Sequence, residues 1–245
     1  MESMRSAYVL LLAATLSTTS FANQVYVSLT GMDSNTSTKI DLRVLDPGTD
    51  QYTTWTNVWA GGILTIAGNS AVEDYYCVDL FHDINVPGTY LDNVSLPNAA
   101  LRQDRVAWMI DNLTTTFSKD SSISKLQGAG LQLAIWDIVT DGGDGFSTGS
   151  VQKAATTNAD VVAWAQQYIA LSVGKSAMDV GVYQVSTLNK KGVPYQTLMG
   201  DTTVPEPASL GFAAFGILTL ALFHRRRSAN SSRNTVPQRV PSQLS

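Results

Sequence analysis

The run Lys39-Ile40-Asp41-Leu42-Arg43-Val44-Leu45, closed by Asp46-Pro47-Gly48, decides the fold class. Ile40, Leu42 and Val44 fall on every second position, the period of a strand with one buried face, and the Asp-Pro-Gly that follows has the chemistry of a turn. Working outward, residues 25–29 alternate in the same way, and 52–59 and 63–67 carry the aromatic and β-branched residues that strands favour. Gly61-Gly62 reads as a second turn. The first part of the chain is therefore expected to form a sheet or barrel.

After residues 72–81, Gly88 and Pro97 interrupt the chain, and the apolar period changes. Leu101, Val106, Met109, Ile110 and Leu113 recur at helical spacing and predict a helix over 101–113. Leu131, Ile135 and Val139 stand four apart within 124–139, and Val161, Trp164, Tyr168 and Leu171 share one face within 151–173. Two further helices are expected there, with strands near 179–187 and 195–198 returning to the sheet. The expected fold class is α+β: a β-rich sandwich or barrel with an inserted helical subdomain.

Both ends of the chain read as addresses. Arg5 precedes an apolar stretch over 7–16, and Ser20-Phe21-Ala22 puts small residues three and one positions before a cut, so residues 1–22 are expected to be a signal peptide and Asn23 the mature start. At the other end, Val204-Pro205-Glu206-Pro207 cannot be helical, because each proline removes a backbone donor and Pro207 biases Glu206 toward extension. Residues 208–223 carry no charge and predict a hydrophobic helix, ended by His224 and the basic stop Arg225-Arg226-Arg227. At about 1.5 Å per residue that helix is roughly 24 Å long, short of a hydrocarbon core of about 30 Å, which suits a transient anchor. Motif, helix and arginines in this order resemble the PEP-CTERM sorting signal of bacterial surface proteins. The resemblance covers 204–227 and implies recognition by exosortase, a transient stay in the inner membrane, and a final place on the cell surface or in the extracellular matrix. Residues 228–245 read as a disordered basic tail.

The remaining residues, 23–203, suffice for one domain. They hold ten Lys and Arg against eighteen Asp and Glu, a formal balance of −8 compared with −4 for the whole chain. With no basic stripe to neutralise phosphates, a nucleic-acid partner is excluded.

Cys77 is the only cysteine, so an intramolecular disulfide is impossible. Intermolecular pairing, a reactive thiol and inert burial remain open; lipidation would need the cysteine at the mature start. The segment Tyr75-Tyr76-Cys77-Val78-Asp79-Leu80, taken with Gly130-Leu131-Gln132-Leu133-Ala134-Ile135-Trp136, resembles the thioester domain of bacterial surface adhesins. The resemblance implies a bond between the Cys77 sulfur and the Gln132 side chain. Its use would be covalent attachment to a surface or polymer rather than turnover, with no enzyme activity and no cofactor. Leu131 stands where those adhesins often have Thr.

Other constellations are weaker. On an extended strand Cys77 and Asp79 share a face and His82 points to the other, which argues against a thiol protease. One Cys and one His in 23–203 are too few for a zinc site. Asp141-Gly142-Gly143-Asp144-Gly145 departs from calcium-loop spacing and reads as a tight solvated turn, so no metal is expected. Trp108, Trp136 and Trp164 occur in helical patterns and read as packing, which leaves Trp55 and Trp59 as candidates for stacking on a sugar. The alternative to covalent adhesion is accordingly a noncatalytic carbohydrate-binding or structural matrix protein, with an extracellular polysaccharide as partner.

Overall fold

Alternation of apolar and polar residues builds two long strands, β1 (Asn23–Asp46) and β2 (Gln51–Ala67), paired antiparallel as a hairpin. The turn between them is set by Asp46, whose side chain accepts the Gly48 N–H at 2.7 Å, and by Asp50 in the left-handed region at φ 55. The computed structural model describes residues 23–68 and 70–200. The expected signal peptide, the sorting motif Val204–Pro207, the helix over 208–223, Arg225–Arg227 and the tail lie outside the described residues.

Five shorter strands follow: β3 (Glu73–Cys77), β4 (Gly88–Ser95), β5 (Val151–Lys153), β6 (Gly181–Val185) and β7 (Leu198–Gly200). Every pairing is antiparallel. The pairs run β1–β2, β2–β3, β3–β7, β7–β6, β6–β4 and β4–β1, so six strands close on themselves as a barrel. β5 adds to the far half of β1, with Leu42 opposite Lys153 and Val44 opposite Val151. Closure removes most free sheet edges, the usual liability of an all-antiparallel sheet.

Among the described residues three α-helices complete an α+β, mostly β architecture: α1 (Gln103–Leu113), α2 (Ser121–Asp141) and α3 (Ala159–Leu171). Asp120 caps α2 by accepting the Ser122 N–H at 2.9 Å, and Gly142 ends it at φ 87. Every residue of α2 from Gln127 to Ile138 is buried, as expected of a helix inside a core rather than on its surface. Two glycines make this possible. A methyl at Gly128 would collide with the Thr36 carbonyl of β1, and one at Gly130 with the Trp164 side chain of α3. Arg105 of α1 clamps the helix ends, donating to Gly142 O at 3.0 Å, Ile169 O at 2.7 Å and Ser172 Oγ at 3.0 Å. Barrel and helices share one apolar cluster, so the helical part is a layer on the barrel core.

The strands differ from expectation in four places. The segments 25–29 and 39–45 belong to one strand, β1, which carries register shifts between Leu29 and Gly31, Met32 and Ser37, and Ile40 and Leu42. Gly61-Gly62 lies inside β2 rather than in a turn, with Gly61 at φ 121. Residues 88–95, read as interrupted chain, form β4. Residues 151–153 are strand, so the helix expected over 151–173 begins only at Ala159, where Asn158 accepts the Asp160 N–H at 2.8 Å.

Asp92 of β4 is buried, and its Oδ1 has no partner among the described residues. Burial pushes its carboxyl up to about 7 from an ordinary 3.8. Between those values the folded chain holds a proton that the unfolded chain has released, so stability falls as pH rises through this window and levels off above it. Urea denaturation from pH 4 to 8 should show that decline, to which Asp74 and Asp137, raised by burial to about 6 and about 7, also contribute, and Asp92→Asn should make it shallower; an unchanged decline in the variant would contradict the assignment.

Candidate functional site

The site begins where two strands part. β3 pairs with β2 only as far as Tyr75 opposite Ile63, while β2 stays paired with β1 beyond that point, with Gly61 opposite Ser37. Gly61 sits at φ 121, a conformation that residues with side chains rarely adopt, and a methyl at Gly62 would strike the Asp74 carboxylate and the Thr36 hydroxyl. On its other edge β3 continues beside β7, with Cys77 opposite Leu198.

Gln132 occupies the place that β2 vacates. The Cys77 N–H donates to Gln132 Oε1 at 3.0 Å, and Gln132 Nε2 donates to the Cys77 carbonyl at 2.6 Å. One carboxamide thus satisfies both main-chain groups of Cys77, as a neighbouring strand would. Cys77 is 8% exposed and Gln132 1%. The two residues predicted from sequence 55 positions apart are brought together, and α2 supplies the rigid support.

Both residues line a cavity of about 340 Å³ together with Trp55, Trp59, Trp136 and His82. Burial pushes the Cys77 thiol well above its ordinary pKa, and the Asp79 charge adds to the rise. The thiol is neutral, unlike the thiolate of a cysteine protease. Its sulfur can become a nucleophile only if its proton departs during the reaction.

His82 differs from the strand-based expectation. β3 ends at Cys77, so strand alternation does not extend to residue 82. His82 Nδ1 and Asp79 Oδ2 lie 2.5 Å apart, and His82 faces the same cavity as Cys77. Trp136, expected to be packing, also lines the cavity, and its buried Nε1 has no partner among the described residues. The sequence contained no signal for either role, since both depend on where β3 stops and how α2 lies. Trp55 meets Phe81 edge-on at 6.5 Å, while Trp59 is half exposed with the Lys39 ammonium 5.3 Å from its ring centre. Trp164 packs as expected, stacked on Tyr168 at 5.7 Å.

Residues 203–227 match the PEP-CTERM protein-sorting motif. The chain is therefore a protein exported and membrane-anchored before exosortase processes it, then released to the cell surface or extracellular space. Among the described residues no helix is long and apolar enough to cross a membrane. No curated protein matches the chain. Among solved structures, the N-terminal thioester domain of a surface protein from Clostridium perfringens is weakly similar, with 14% identity and a TM-score of 0.34 over 69% of this chain and 100% of that one.

Adding Gln132→Leu to a Cys77→Ala background leaves the N–H and C=O of residue 77 buried without their partner. Loss of stability by about 1–3 kcal/mol for each orphaned group is expected from urea denaturation. Equal stability of the single and double variants would show that the two hydrogen bonds do not hold α2 to β3.

Proposed function

We propose that this exported protein attaches covalently to a surface or polymer outside the cell, through a thioester between Cys77 Sγ and Gln132 Cδ within a domain spanning 23–203. The observation that carries this reading is the two-point grip of the Gln132 carboxamide on the Cys77 main chain at 3.0 and 2.6 Å. It fixes the amide beside the residue that bears the thiol, which replaces a chance encounter by a held geometry. The Cys77 N–H donated to Oε1 also stabilises the negative charge that gathers there when sulfur attacks Cδ.

The step balances without a co-reactant. The Sγ–Cδ bond forms, the Cδ–Nε2 bond breaks, and the thiol proton ends on the departing nitrogen, which leaves as ammonia. His82, oriented through Nδ1 by Asp79, is the group in the cavity suited to carry that proton from sulfur to nitrogen. An amine or hydroxyl of the target then attacks Cδ, forming an amide or ester and returning the thiol. The bond is consumed in the act, so the protein works once and is not an enzyme. Closing the loop between residues 77 and 132 also contributes about 4 kcal/mol of stability in the chain-entropy account.

A second reading rests on Trp55 and Trp59, which line the same cavity and suit stacking against a sugar ring. There Cys77 and Gln132 only pack, and the protein binds extracellular polysaccharide without a covalent step.

The intact mass separates the two. Wild type should be lighter than its sequence by one ammonia, Cys77→Ala should match its sequence, and methylamine should add its own mass to wild type alone. His82→Gln should slow methylamine uptake about tenfold or more, within the range of a lost general acid–base. A wild-type mass equal to the sequence value, with no methylamine adduct, would exclude the thioester and leave the sugar-binding reading.

A further inference from the structure

The C-terminal turn of α2 and the loop after it assemble three carboxylates. Oxygens of Asp137, Asp141 and Asp144 lie within 4.8 Å of one another. Asp141 is committed to structure, accepting the Ser150 N–H at 2.9 Å and the Val151 N–H at 2.8 Å, which fixes the loop against β5. Each of its oxygens keeps a further lone pair. Asp137 is fully buried; its Oδ2 accepts the Gly145 N–H at 3.2 Å, while its Oδ1, equally buried, has no partner among the described residues. Asp144 is exposed at the mouth of the cluster.

The arginines near the loop direct their N–H groups to other acceptors. Arg105 directs its N–H groups to Ser172 Oγ and to the carbonyls of Gly142 and Ile169. Arg102, the other arginine beside the loop, donates to the Val139 carbonyl at 3.2 Å. No Lys or Arg forms an ion pair with the three carboxylates among the described residues. Three carboxylates this close, one of them buried with a bare oxygen, have only the nearby Arg105 charge, which is not in ion-pair contact with them, to offset their ionised forms.

We propose that Asp137, Asp141 and Asp144 form a binding site for a hard divalent cation of the calcium class. All three donors are carboxylate oxygens, the ligand set that selects calcium or magnesium over zinc or copper. The exposed Asp144 and the glycines at 142, 143 and 145 leave the remaining positions to water and loop carbonyls, an irregular shell that calcium accepts and magnesium resists. Exosortase release places the protein outside the cytoplasm, where calcium sites of moderate affinity, on the order of 10⁻⁴ to 10⁻³ M, are the common kind. The cation would join the end of the helix that carries Gln132 to the loop that follows, which Asp141 ties to β5. Nothing in this site depends on the thioester.

The test is calorimetric titration of calcium chloride into EDTA-stripped full-length protein in detergent, paired with thermal melts. Wild type should bind one ion and melt at higher temperature with calcium, with magnesium giving a smaller shift. Asp144→Ala touches no hydrogen bond that holds the loop, so it should melt like wild type in EDTA, yet bind calcium about tenfold or more weakly. Absence of calcium binding by wild type up to millimolar concentration, or wild-type affinity in Asp144→Ala, would overturn the assignment.

Discussion

The parting of β2 from β3 at Gly61-Gly62 is the constraint on which the site depends. A strand edge inside a folded protein cannot be left bare, because its N–H and C=O groups have lost water. The Gln132 side chain takes that edge and meets Cys77 at both main-chain groups. Gly128 and Gly130 then follow from the same requirement: they let α2 come close enough to β1 and α3 for a glutamine side chain to reach the gap. Four glycines and one amide thus set the distance between the only cysteine and its candidate partner.

Burial has opposite consequences on the two sides of this site. It keeps the Cys77 thiol protonated, which protects an exported cysteine from oxidation and from exchange with other thiols. It also strengthens the hydrogen bond from the Cys77 N–H to the Gln132 carbonyl oxygen, since that bond lies where the dielectric is low. A neutral thiol beside the Gln132 amide is compatible with the proposed single-use reaction, in which the proton leaves sulfur only as the bond forms. In the proposed reaction the proton path falls to His82, which lines the cavity and is held at Nδ1 by Asp79.

Much of the sheet was legible because period-2 alternation survives wherever one face of a strand is buried, as at Ile40, Leu42 and Val44. β4 escaped notice because an inward position is occupied by Asp92, which breaks the apolar alternation, and because Gly88 at its start reads as a breaker. Gly61-Gly62 signalled a special backbone correctly, but a positive-φ position inside a strand and a turn between strands use the same residues. The helix over 124–139 was visible from its spacing and proved longer, since Asp120 and Gly142 cap it outside the apolar core. At the site, the pairing of Cys77 with Gln132 was legible only through family likeness. No rule of spacing relates two residues on different elements, and the places of His82 and Trp136 required the ends of those elements to be known. The Asp137 member of the acidic cluster was hidden for a similar reason, because it lies inside the helix while Asp144 lies in the loop beyond it.

Fragment-ion sequencing of peptides from methylamine-treated wild-type protein tests the thioester most directly. Methylamine should be found on the side chain of residue 132 and nowhere else, with Cys77 released as a thiol that alkylating reagents then label. An unmodified carboxamide at Gln132, in protein whose Cys77 is alkylated equally with and without methylamine, would contradict covalent attachment through this pair.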